Sequence, residues 1–198
     1  MIGDEAVKLD DTFTYGQYRS WPDGKRWELI EGVAWAMSAP TTRHQKTIGR
    51  LHLLFGAYLK GKTCEVFIAP YDVLLYEADE PPEQVRNVVQ PDLMVFCDKT
   101  KIKEKFAWGA PDLAVEILSP STTKKDLNDK FRLFEKHGVR EYWVVDPNAK
   151  TIMIFRRSDA GVFDDGTLWE HDLGIDSIAS KVVEGFSLRP AEVFEDLD

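Results

Sequence analysis

Cysteine is scarce in this chain: Cys64 and Cys97 are the only two among 198 residues. Set in apolar, strand-like surroundings, they read as buried free thiols rather than as a disulfide or a zinc site. Long apolar runs are missing too. No stretch approaches the about 20 residues that a membrane-spanning helix requires, and Met1 to Asp10 carry neither the basic start nor the apolar core of a secretory signal. The expectation is a cytoplasmic chain with no membrane partner. Positive charge is in deficit, with 25 Lys and Arg against 34 Asp and Glu and a net charge of −9. Proteins that bind nucleic acid gain affinity by neutralising phosphates, so an acidic chain must gather its cations locally. That balance argues against tight non-specific DNA binding. Two basic clusters, Lys99, Lys101, Lys103 and Lys105, and then Lys124 and Lys125, read as solvated loops. Low-complexity tracts are absent, and the one repeat is a doubled short phrase.

The length suits one domain over residues 1–198, with a core over about 25–157 and C-terminal strands and a tail over 158–198. The doubled phrase is Pro91-Asp92-Leu93-Met94-Val95-Phe96 and Pro111-Asp112-Leu113-Ala114-Val115-Glu116-Ile117-Leu118. Each reads as a strand whose side chains alternate between two faces. Paired antiparallel about a centre near Glu104, the two runs place Asp92 opposite Glu116, Met94 opposite Ala114 and Phe96 opposite Asp112. Opposite residues in such a ladder have Cβ atoms roughly 4.5–5.5 Å apart. Two carboxylates at that range repel unless a cation sits between them or one takes up a proton. Asp112 and Glu116 lie about 13 Å apart along one strand and cannot share an ion, so Asp92 with Glu116 is the candidate metal pair.

Upstream, Phe13 to Trp21 suggests a short helix closed by Pro22-Asp23-Gly24. Trp27–Ile30 and Val33–Met37, joined by Glu31-Gly32, form a tight hairpin, with Glu28 on the face opposite Trp27 and Leu29. A helix capped by Thr41 or Thr42 runs to about Lys60, and its apolar arc contains His44. Cys64–Ala69 and Tyr71–Tyr76 are strands with a bend at Pro70. After Ser119-Pro120-Ser121-Thr122-Thr123, whose hydroxyls can cap, a helix runs from about Lys124 to His137. Projected at 100° per residue, its inward arc holds Leu127, Phe131, Leu133, Phe134 and His137, with Lys130 and Asp126 inside it. A lysine in an apolar arc either snorkels to the core's edge or reaches back toward the Glu116 carboxylate. Glu141–Pro147 is an apolar strand, and Thr151–Arg156 with Val162–Glu170 forms a further antiparallel pair.

The succession Trp27-Glu28-Leu29-Ile30-Glu31-Gly32, Ser38-Ala39-Pro40 with His44, the two Pro-Asp phrases, and Gly138-Val139-Arg140-Glu141-Tyr142-Trp143-Val144-Val145-Asp146-Pro147 resembles the Uma-type putative restriction endonuclease family of the PD-(D/E)XK nuclease superfamily. The resemblance covers nearly the whole chain. It implies an α/β, restriction-endonuclease-like fold: a central mixed β-sheet flanked by helices, with additional antiparallel strands. It also implies a metal-dependent endonuclease that hydrolyses phosphodiester bonds, with Mg²⁺ or Mn²⁺ as cofactor and nucleic acid (DNA) as partner; because cutting two strands suits two sites, the chemistry favours a homodimer. The superfamily's aspartate falls on Asp92 and the acidic member of its second half-motif on Glu116. The motif lysine falls on Leu118, a departure that leaves Lys130 as the replacement. Glu28 matches the extra acidic residue before the core motif. Asp92, Glu116 and the Ile117 backbone carbonyl are the implied metal ligands, with Asp92, Glu116, Lys130 and Glu28 catalytic; His44, Asp112 and Asp126 are weaker candidates. The rival expectation is an inactive descendant of the fold that binds nucleic acid or a protein partner.

Overall fold

The computed structural model describes residues 8–22, 24–119, 123, 125–170 and 177–197. In chain order the strands are β1 (Lys8–Thr12), β2 (Trp27–Ile30), β3 (Val33–Ala36), β4 (Glu65–Ile68), β5 (Asp72–Leu74), β6 (Val88–Val89), β7 (Leu93–Phe96), β8 (Phe106–Trp108), β9 (Leu113–Ile117), β10 (Glu141–Asp146), β11 (Thr151–Arg156), β12 (Thr167–Glu170), β13 (Ile178–Ala179) and β14 (Ser187–Leu188). The helices are α1 (Tyr15–Tyr18), α2 (Thr42–Leu59), α3 (Phe131–His137) and α4 (Pro190–Phe194), and a π-helical stretch, Lys125–Lys130, runs directly into α3.

These strands build two six-stranded sheets. The outer sheet has the order β1-β3-β2-β6-β5-β8, and the central one β12-β11-β10-β9-β7-β4, while β13 and β14 pair by themselves. The central sheet is mixed because β9 and β10 run parallel while its other neighbours are antiparallel. A crossover is therefore required between β9 and β10, and the π-helical stretch with α3 supplies it. Gly138 ends α3 at φ 84°, the left-handed cap that glycine adopts without steric cost.

Alternation along each strand sorts the core into layers. Ile152, Ile154, Trp143 and Val145 meet α2 and α4 residues such as Leu51, Phe55 and Phe194 on one face of the central sheet. On its other face Met94, Ala114, Tyr142 and Val144 meet Ile30, Val73 and Val89 of the outer sheet. Leu29, Leu74 and Val88 then turn outward from that sheet onto Trp27 and Tyr15. The consequence is that a residue two along from Ile30 or from Ala114 points into the layer between the sheets.

The expected elements form largely as the pattern dictates. Helix α2 starts after Thr41, whose hydroxyl accepts the His44 N–H at 3.2 Å. The β2–β3 turn uses Glu31 at φ 52° and Gly32 at φ 83°, the two positive dihedrals of a tight hairpin. The register expected for β7 and β9 is present: Met94 pairs with Ala114 and Leu93 with Val115, which brings Asp92 to the level of Glu116. Asp23 of the first turn and Pro120, Ser121 and Thr122 of the capping stretch lie outside the described residues.

Two expectations fail. Cys64 and Cys97 are not free thiols but a disulfide. Glu65 pairs with Phe96 across the antiparallel β4–β7 ladder, so the next residue outward on each strand is a cysteine facing its partner. The thiols therefore no longer argue for a reducing compartment. Leu127, expected to point inward, is 41 % exposed. A π-helical turn takes more residues than the 3.6 of an α-helix, so Lys125 takes an inward position beside Asp126 and Lys130, which point inward as expected. No described helix is long and apolar enough to cross a membrane.

Candidate active site

The layer between the sheets is apolar along most of its length, but at one end three elements deliver charge into it. Glu28 follows the alternation of Ile30 on β2 and is fully buried; Glu116 follows that of Ala114 on β9 and is almost so. The π-helical turn inserts Lys125 and Lys130 between them. Lys130 Nζ lies 2.6 Å from Glu116 Oε1 and 2.8 Å from Glu28 Oε1, with Asp126 Oδ1 at 3.7 Å. Lys125 Nζ donates to Glu28 Oε2 at 2.5 Å. The Gln90 N–H, at 2.9 Å, also donates to Glu28 Oε1. Tyr142, on β10, donates its hydroxyl to the Asp126 carbonyl at 3.1 Å and steadies the turn from the other side.

Asp92 stands at the mouth of this buried network. Its side chain is 15 % exposed, and its Oδ2 accepts the Ile117 N–H at 2.8 Å and meets His44 Nε2 at 3.1 Å. The other ring nitrogen of His44, Nδ1, is buried without a hydrogen-bond partner. Leu118 lies beyond Glu116 in the alternation of β9, and there it packs against the inter-sheet core. The ammonium beside Glu116 belongs to Lys130, which reaches it from the π-helical turn.

Electrostatics distinguish the members. Burial pushes the Glu28 carboxyl up, but Lys125 and Lys130 outweigh it and hold the group at about 2. Burial favours neutral Lys130, yet Glu116, Glu28 and Asp126 together raise it well above the ordinary lysine value, so its ammonium stays charged. Glu116 moves the other way from Glu28: burial, reinforced by Asp126, Asp92 and Glu28, lifts it well above the usual carboxylate range against the pull of Lys130. Three carboxylates, Glu28, Glu116 and Asp126, surround the two lysines, and Asp92 lies near enough to act on Glu116. The carboxylates are thus in excess over the ammonium groups, and their mutual repulsion falls on Glu116, favouring its neutral form.

That excess suits a hard divalent cation. Among the described residues no three His, Cys, Asp or Glu side chains form a ready cage. Mg²⁺ needs none, since it keeps several waters and is ordinarily held by one or two carboxylates with substrate phosphates completing its shell. Asp92 and Glu116 match that donor set.

The expected site residues thus separate. Asp92, Glu116, Lys130, Glu28, His44 and Asp126 come together at one end of the inter-sheet layer. Asp112 does not: it sits at the far end of β9, where Oδ2 accepts the Cys97 N–H at 2.7 Å and Oδ1 meets Arg140 at 3.3 Å. Lys125, read from sequence as part of a solvated cluster, is instead buried on Glu28; Lys124 lies outside the described residues. A wheel drawn at 100° per residue cannot bring Lys125 and Lys130 together, because they lie five residues apart; a π-helical spacing does. Gln90 was missed as well, although it immediately precedes the first Pro-Asp phrase. Its side chain joins Arg26 at 2.8 Å and Asp72 at 2.7 Å while its backbone holds Glu28.

The chain matches the Uma2 family, described as "Putative restriction endonuclease", over residues 15–189. An uncharacterized Synechocystis protein is 28 % identical over 148 residues, covering 73 % of this chain and 74 % of that one. The crystal structure of a putative nuclease belonging to DUF820 from Anabaena variabilis superposes with a TM-score of 0.75 at 18 % identity, covering 93 % of this chain and 99 % of that one. At that identity the likeness establishes a shared fold.

Proposed function

Because the chain belongs to the Uma2 family of putative restriction endonucleases, we propose that it is a metal-dependent endonuclease acting on DNA phosphodiester bonds, with Asp92, Glu116 and the Ile117 carbonyl holding Mg²⁺ or Mn²⁺. The observation that carries this reading is the lysine ammonium 2.6 Å from Glu116, supplied by Lys130 where the motif position holds Leu118. When bound, such an ion supplies Lewis acidity toward a phosphate oxygen and toward water.

The chain's own groups divide the remaining work. Lys130 Nζ keeps its proton among three carboxylates, so it acts as a donor and not as a base. It orients the Glu116 carboxylate at 2.6 Å, and its positive charge offsets what develops on the phosphoryl oxygens. Glu28, fixed by the Gln90 N–H and by Lys125, holds Lys130 in place without touching substrate. His44 and the Ile117 N–H both anchor Asp92 Oδ2 and thereby direct Oδ1 elsewhere. Substrate approaches from the Asp92 and His44 side, because Glu28, Lys125 and Lys130 are closed off from solvent. Two copies, each cutting one strand, form the assembly suited to a duplex.

That same burial favours a second reading, in which the lysines and carboxylates only tie the two sheets together and the protein is an inactive member of the fold. Plasmid cleavage in Mg²⁺ or Mn²⁺ separates the two, using wild type and Asp92→Asn, whose substitution at a partly open position leaves the fold intact. The nuclease reading expects cleavage that drops about 100-fold or more in the variant, the scale of losing one transition-state contact. Absence of both cleavage and metal binding in the wild type establishes the structural reading instead.

A further inference from the structure

A second concentration of charge lies elsewhere on the central sheet. A cleft of about 220 Å³ is lined by Arg140, Arg156, Arg157, Ser158, Lys181 and Val182. Its place is distinct from the candidate active site. Arg156 pairs with Glu141 at the start of β10, whereas Glu116 pairs with Val144, three residues further on. Arg156 also alternates with Ile152 and Ile154 on the α2 face, whereas Glu116 points into the inter-sheet layer with Ala114.

Four cations thus converge in a protein of net charge −9. The carboxylates nearby are largely committed. Asp112 meets Arg140 at 3.3 Å and also accepts the Cys97 N–H. Asp164 Oδ1 accepts the Arg156 backbone N–H at 3.0 Å and the Gly166 N–H at 3.1 Å. Buried Glu141 takes the Trp143 indole N–H, the Ser180 hydroxyl and the N–H groups of Lys181 and Val182. Its role is architectural: it pins the turn that forms the wall carrying Lys181.

The Arg156 and Arg157 guanidinium groups are less fully satisfied, although one terminal nitrogen of Arg156 donates to the Ala179 carbonyl at 3.3 Å. Arg156 Nε and Arg157 Nε are both buried and have no hydrogen-bond partner, in a class of groups that is paired in the great majority of cases. Arg157 lies against the turn at Gly161, where φ is +83° and an added Cβ would stand 3.1 Å from both terminal nitrogens. Glycine there lets the guanidinium lie flat against the backbone. Planar, permanently charged forks beside an ammonium suit a tetrahedral anion with several acceptor oxygens.

We propose that this cleft is an anion site that takes a phosphate group, carried on a nucleic-acid strand or on a small phosphate ester. The proposal stands apart from the nuclease reading, because none of the cleft residues belongs to the candidate active site. Calorimetric titration of the full chain with inorganic phosphate at constant ionic strength tests it, using wild type, Arg157→Gln, Lys181→Gln and a charge control, Lys105→Gln. The expected result is saturable binding that weakens about tenfold or more in the two cleft variants, the scale of one charge-assisted hydrogen bond, and is unchanged in the control. Lys181 is exposed, so its variant keeps the test decisive should Arg157→Gln fold poorly. No saturable binding by the wild type, or equal binding in all four proteins, overturns the proposal. Competition then identifies the carrier. Displacement of phosphate by a 5′-phosphorylated oligonucleotide assigns the group to a strand, and displacement by ribose 5-phosphate alone assigns it to a small ester. Displacement by neither overturns the site as a phosphate-ester site.

Discussion

Between the two sheets, Glu28, Glu116, Asp126, Lys125 and Lys130 bring opposite signs together and are sealed from water, whereas Arg140, Arg156, Arg157 and Lys181 carry one sign and line an open cleft. The difference follows from dielectric environment. A charge removed from water costs several kcal/mol unless a partner and hydrogen bonds compensate it, so every buried lysine here touches a carboxylate. Near the surface, water moderates repulsion between like charges, and a cluster of one sign can persist until an external anion balances it. The first arrangement is satisfied largely within the chain; the second is complementary to something outside it.

The sharpest way to break this contrast is to remove the cation that three buried carboxylates share. Lys130→Met should destabilise the fold by about 3–5 kcal/mol, the usual result of leaving buried charge unpaired, read from urea denaturation midpoints. A loss below about 1 kcal/mol would mean that water reaches the network and that its burial is not what sets its pairing.

A smaller effect sharpens the same point through pH. Glu28 is depressed from 4.5 to about 2, so its ionised form adds stability that is fully present above the unfolded value and is lost as pH falls through the folded one. Glu28→Gln should therefore lie furthest below wild type in stability above pH 4.5, with the gap closing toward pH 2. A gap that stays constant over that range would remove the charge pairing with Lys125 and Lys130 as the source of Glu28's contribution. The smallest effect belongs to the cleft: Lys181→Gln should shift stability by no more than about 0.5 kcal/mol. A clear destabilisation would place Lys181 in an internal ion pair and erase the distinction between the two clusters.

The doubled Pro-Asp phrase shows where sequence patterns stop being informative. Both copies became strands, paired in the register that their alternation predicted. Yet Asp92 reached the candidate site while Asp112 became a structural acceptor for the Cys97 N–H and a neighbour of Arg140. Nothing local separates the two aspartates. They differ because antiparallel pairing sends them to opposite ends of the sheet, and only one end receives Glu28, α2 and the π-helical turn. Lys125 was illegible for a related reason: the extra residue in its turn brings Lys125 inward and turns Leu127 outward, while Asp126 and Lys130 keep the inward places that a 3.6-residue projection gives them.

The sequence by itself determined the family and the mixed α/β architecture through its resemblance to known members along nearly the whole chain, and the pairing of Asp92 with Glu116 and the inward course of Lys130 through periodicity and spacing within about 40 residues. Tertiary structure decided what depends on distant segments meeting. It joined Cys64 to Cys97 across β4 and β7, placed Glu28 of one sheet against Lys125 and Lys130 beneath the other, and gathered Arg140, Arg156, Arg157 and Lys181 around one cleft. Hydrophobic alternation specifies which face a residue takes, but packing between sheets determines which charged groups share that face and whether water stays with them.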